Sequence, residues 1–77
     1  MVIILFRGIS FLFSNMIQKE TAKELFERAL YLEETKGDLE KAIEVYSRVV
    51  KEFPDERSTA AKAQLRIGMC YEELGLR

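Results

Sequence analysis

The chain has 77 residues, 48% of them hydrophobic and 32% charged, with 12 basic and 13 acidic side chains. That is one small domain or part of one, and its core is marginal, because so short a chain buries only about 60% of its unfolded surface. One Cys, no His and a formal net charge of −1 argue against an internal disulfide, a Cys/His zinc site, a histidine general base and an electrostatic drive toward nucleic acid.

The composition divides the chain into residues 1–18 and residues 19–77. The first part carries Arg7 as its only charge and twelve large apolar residues. Three readings compete for it. As an export signal it lacks a basic start, because Arg7 follows the first apolar run, and Leu12 is too large for a good cleavage site before Ser14. As a membrane anchor it is shorter than the roughly 20 apolar residues of a span and is interrupted by Arg7 and Gly8. As upstream sequence it would precede a true start at Met16. A fourth, plainer reading is an apolar helix packed on the rest of the domain. The apolar run favours an exported or membrane-associated location over the cytoplasm and offers membrane contact through residues 1–17.

Residues 19–77 predict three helices. The first runs from about Lys19 to Thr35, with Thr21 and Glu24 spaced as a capping box. Its apolar positions Ala22, Leu25, Phe26, Ala29, Leu30 and Leu32 follow helical spacing. Gly37 supplies the left-handed residue that ends helices, and Asp38 caps the next one. The second helix runs from about Leu39 to Phe53. Its stripe is Leu39, Ala42, Ile43, Tyr46, Val49, Val50 and Phe53, and Pro54 stops it. The third runs from about Thr59 to Leu74 with Ser58 as its cap. Ala60, Ala63, Ile67, Cys70, Tyr71 and Leu74 form its stripe, and Gly75 ends it. Gly68 sits mid-helix at a cost of about 1 kcal/mol relative to Ala, which predicts a neighbouring helix passing close by.

An internal repeat fixes the expected architecture. AKELFERALYLEE from Ala22 lies over AKAQLRIGMCYEE from Ala61, an offset of 39 residues, within the range of helical arrays. Ala22, Lys23, Glu33 and Glu34 are identical to Ala61, Lys62, Glu72 and Glu73. Phe26 pairs with Leu65, Ala29 with Gly68 and Leu30 with Met69.

The run GDLEKAIEVYSRVVKEFPD resembles the second half of a tetratricopeptide repeat through Gly37, Asp38, Ala42, Ile43, Tyr46, Val49 and Pro54. LRIGMCYEELG resembles the first half of the next repeat through Ile67, Gly68, Tyr71 and Gly75. The long connection FPDERSTAAKA is similar to that of bacterial envelope members. Two features depart from the pattern: Arg28 stands where the family prefers Leu, and one extra residue precedes Gly37. The resemblance implies an all-α fold of antiparallel helix-turn-helix units, about one and a half repeats here, behind the apolar segment. It also implies a concave, partner-binding face lined by first helices. Carried over by position, that face comprises Lys23, Phe26, Leu30, Glu33, Glu34, Lys62, Leu65, Met69, Glu72 and Glu73. The apolar members also read as core, and the Glu pairs as a solvated face.

The functional expectation is a non-catalytic scaffold that binds a protein or peptide, with no cofactor, no metal and no nucleic acid. The Glu33/Glu34 and Glu72/Glu73 pairs do not form acid/base dyads, because adjacent helical residues point about 100° apart. Cys70 lies on an apolar stripe with no His, as an inert thiol would. Alternatives are a membrane-associated helical element that assembles homo-oligomers through helix three, and an N-terminal fragment of a longer repeat protein. The latter is expected because arrays need about three repeats for stability.

Overall fold

The computed structural model describes residues 20–76. The boundary at residues 18 and 19 and every reading of residues 1–18 fall outside the described part. Three helices follow in order. Helix α1 spans Ala22–Leu30 and continues as a π-helical stretch, Tyr31–Lys36; α2 spans Leu39–Glu52; α3 spans Arg57–Gly75. Short connections make neighbours antiparallel, so α1 and α3 run the same way with α2 packed against both. The described chain is all-α helix-turn-helix, as the punctuation predicts. None of its helices is long and apolar enough to cross a membrane.

The ends of α1 follow from local chemistry. Thr21 Oγ1 accepts from the Glu24 N–H at 3.1 Å, and Glu24 Oε1 accepts from the Thr21 N–H at 2.9 Å. Two otherwise unpaired donors are thereby satisfied, which is the capping box. At the other end Gly37 sits at φ 69°, the only positive φ among the described residues. Its N–H and that of Asp38 both reach the Leu32 carbonyl. Asp38 Oδ1 then accepts from the Lys41 N–H at 3.1 Å and starts α2.

The π-helical stretch accounts for the extra residue before Gly37. One inserted residue rotates all that follows by about 100° around a helix axis. A wider turn absorbs the insertion without losing the terminator, and such turns are rare and short. The cost falls where the backbone bonds weaken, and the return is the placement of Glu33 described below.

The core is small and centred on α2. Ala22, Leu25, Ala29, Leu39, Ala42, Val45, Tyr46, Val49, Ala63 and Cys70 are buried, and Phe26, Leu30, Leu32, Ile43, Val50, Phe53, Ile67 and Leu74 pack around them. Ala29 and Ala42 are fully buried, and their small side chains let α1 and α2 approach. Val45 belongs to this core although it lies beside the predicted stripe.

Helix α3 differs from its prediction in three places, its start, Tyr71 and Gly68, and ends at Gly75 as predicted. It begins at Arg57 after Glu56, with no side-chain cap, so Ser58 lies inside the first turn. Backbone bonds initiate it instead, with the Ala60 N–H on the Glu56 carbonyl at 2.8 Å. Tyr71 is 60% exposed rather than core. No atom lies within 4 Å of a Cβ placed on Gly68, so no described helix crosses there. Gly75 is the last helical residue, and the helix ends through the Leu76 N–H bonding back to Glu72 and Glu73 in right-handed geometry. The two glycines Gly37 and Gly68 therefore respond oppositely to alanine. Gly37→Ala forces a side chain into left-handed backbone and lowers stability by about 1–2 kcal/mol. Gly68→Ala raises it by about 0.5–1 kcal/mol, both measured by urea unfolding followed by circular dichroism.

Candidate functional site

The side of the molecule opposite α2 is formed by α1 and α3 lying side by side. At their N-terminal ends Lys23, Phe26 and Glu27 of α1 face Glu56, Thr59 and Lys62 across a cleft of about 450 Å³. Phe26 forms the apolar wall of this cleft. Its ring meets that of Tyr46 at a centroid distance of 5.5 Å and a tilt of 58°, a favourable arrangement for two aromatic quadrupoles. Lys23 and Lys62 are exposed, and neither forms an ion pair among the described residues. Glu27, Glu56 and Thr59 were not legible as lining residues, because the repeat offset marks only positions that match between copies.

Further along, Leu65 is 65% exposed and Met69 44% exposed, while Leu30 is half-buried against the core. Glu72 and Glu73 are exposed. The expected positions thus separate into three groups. Lys23, Phe26 and Lys62 meet at the cleft. Leu65, Met69, Glu72 and Glu73 lie open along α3. Leu30 belongs mainly to the packing.

Glu33 and Glu34 part company. Glu33, whose side chain is only 10% exposed, is engaged within the fold. The Tyr46 hydroxyl donates to its Oε1 at 2.7 Å, and Arg66 Nη1 donates to its Oε2 at 3.2 Å. Glu34 remains exposed, with Oε2 3.5 Å from the same Arg66 nitrogen. The π-helical stretch of α1, the middle of α2 and the middle of α3 are joined by this one carboxylate. Tyr46 is fully buried, so its hydroxyl needs an acceptor, and a charged one gives a stronger bond. A tyrosine inside an apolar stripe was the available signal for such a partner. Its identity was not readable, since Glu33 lies 13 residues from Tyr46 and Arg66 lies 33 residues from Glu33, and only the fold brings the three together.

The environment of the two remaining reactive groups is protective. Burial, then the charges of Glu33 and Glu73, push the Cys70 thiol above its ordinary range, which disfavours the reactive thiolate. Burial, then the hydrogen bond to Glu33, likewise hold Tyr46 in its protonated form. Among the described residues no cluster of His, Cys, Asp and Glu has the arrangement of a metal site.

Residues 25–56, from the middle of α1 through the Pro54 turn, match the family model of the tetratricopeptide repeat. This segment is a tetratricopeptide repeat. The match coincides with the pairing of α1 and α2, and α3 stands next to the repeat in the place of a following first helix. No curated protein and no solved structure matches the chain. Repeats of this family are protein–protein interaction modules.

The Tyr46 hydroxyl gives the repeat a pH signature. Its folded pKa is raised, so the protonated form favours folding. Its contribution is complete below the unfolded value of about 10 and declines above it, as the unfolded chain alone loses the proton. Tyr46→Phe lowers stability at about pH 8 by about 1.5–3 kcal/mol. It also flattens the decline above pH 10 relative to wild type, as read from denaturant midpoints across that range.

Proposed function

We propose that this chain is a non-catalytic adaptor whose α1/α3 face captures a segment of a partner protein. The observation that carries this reading is the conjunction of an open cleft, with Phe26 as its wall, and two large apolar side chains left exposed beside it. An exposed apolar patch on a small domain marks an interaction surface more often than chance. Peptide grooves use this composition: apolar anchors supply affinity, and surrounding charges supply orientation. Lys23 and Lys62 stand at one end of the face, and Glu34, Glu72 and Glu73 at the other. A segment with apolar anchors between an acidic and a basic flank suits that order. The protected state of Cys70 and the internal engagement of Glu33 support a binding role over a catalytic one.

The test is selection of peptides from a random library against the folded chain, followed by affinity measurements on variants. Leu65→Asp changes an exposed side chain, so it leaves the fold intact while removing an anchor. It should weaken the selected peptides at least about tenfold, or about 1.4 kcal/mol. Lys51→Ala, on the outer side of α2, should leave affinity unchanged. Peptides that bind equally to wild type and Leu65→Asp would place recognition elsewhere and overturn the reading.

A further inference from the structure

The outward side of α3 carries a pattern that the repeat does not use for packing. Ser58, Lys62, Leu65, Met69, Glu72 and Leu76 are all exposed, and their spacings alternate between four and three residues. That is the seam of a helix that packs along another helix, with an average period of 3.5. The core-facing stripe of the same helix is separate and holds Ala63 and Cys70.

The seam is complementary to itself when reversed. Laid antiparallel across a two-fold axis at Ile67, Lys62 meets Glu72 of a second copy, and Leu65 meets its Met69. Each pair then occurs twice, as an isologous contact requires. The parallel alternative stacks Lys62 on Lys62 and Glu72 on Glu72, which is repulsive. Antiparallel alignment also opposes the two helix dipoles. Ala61 and Gly68 flank the seam with almost no side chain, and the space above Gly68 is open, so a second backbone can come close.

We infer that the exposed seam of α3 docks a second copy of this chain, antiparallel, with Lys62 facing Glu72 and Leu65 facing Met69 of the other copy. The contact involves one 19-residue helix from each copy, about 28 Å long. It falls in the class of weak, reversible interfaces below about 1,200 Å². The inference uses the α3 part of the face assigned above to a partner. Its evidence is the reversed register rather than the cleft, and its readout is a contact between copies rather than peptide affinity.

The experiment is zero-length carbodiimide cross-linking of the full chain, using a mixture of ¹⁴N- and ¹⁵N-labelled protein. Lys62 and Glu72 are ten residues apart on one helix, about 15 Å, too far for a direct amide within one chain. A Lys62–Glu72 cross-linked peptide of mixed isotopic composition is the expected product. Sedimentation equilibrium should show Lys62→Glu and Glu72→Lys each weakening association at least about tenfold. Combining both in one chain should restore it. Both substitutions lie at exposed positions, and circular dichroism verifies that the helices persist in all three variants. A chain that stays monomeric overturns the inference. So does association that lacks the Lys62–Glu72 link or ignores the charge reversals, since another segment would then hold the copies together.

Discussion

A buried hydroxyl without an acceptor is costly in a core this small, and Tyr46 places one at its centre. The ring fills the space between α1 and α3, against Phe26 on one side, and the oxygen must still be satisfied at the far end. Glu33 satisfies it, and Arg66 in turn balances the charge of Glu33. Each member depends on the others. Without Arg66 the carboxylate would be largely buried with no cation, and without Glu33 both Tyr46 and Arg66 would lose their strongest partner. Such a network is worth little as a simple sum, because desolvation offsets much of the attraction. What it does add is a direct link between all three helices at one carboxylate. The π-helical stretch belongs to the same constraint, since the widened turn sets the direction in which Glu33 leaves the helix.

Most of the fold was legible because its signals are local. Thr21 with Glu24, Gly37 with Asp38, and Pro54 each act through backbone groups a few residues away, so their positions alone suffice. Helix α2 packs on both neighbours, and its long stripe reads as core with only Val45 out of place. The start of α3 was less clear because Ser58 suits a cap in composition, yet the helix is already running when it is reached. Glu33 and Glu34 show the deeper limit. They are identical in type and adjacent in sequence, one engaged inside and one exposed outside, and the choice is made by a widened turn that composition does not announce.

Tyr71 and Gly68 were misplaced for a different reason. Helix α3 is apolar on more than one side, so no single stripe separates its interior from its exterior. Periodicity identifies a helix that is buried on one face. It does not say which of two apolar faces turns inward. The burial of Ala63 and Cys70 resolves this: they face inward together with the partly buried Ile67 and Leu74, while Leu65, Met69 and Tyr71 are left outside. A helix that served only to close this domain would have no need of the three exposed large apolar side chains Leu65, Met69 and Tyr71.

That distribution couples the two roles assigned to α3. Leu65 and Met69 belong both to the proposed seam between copies and to the face proposed for a partner. One apolar side chain cannot be covered twice, so the two ligands exclude each other along that helix. Linkage then requires that self-association weaken partner capture by the factor through which the partner weakens self-association. The seam is short and its contact weak, so the penalty is small at low concentration and grows as the chain accumulates. On the proposed pairing, a second copy would cover exposed apolar surface while no partner is present and would yield it to a tighter-binding segment. The α1 wall of the cleft, Lys23 and Phe26, lies outside the proposed seam, whereas Lys62 of its α3 wall belongs to it, so on this proposal an arriving partner would meet the α1 wall first and compete for Lys62.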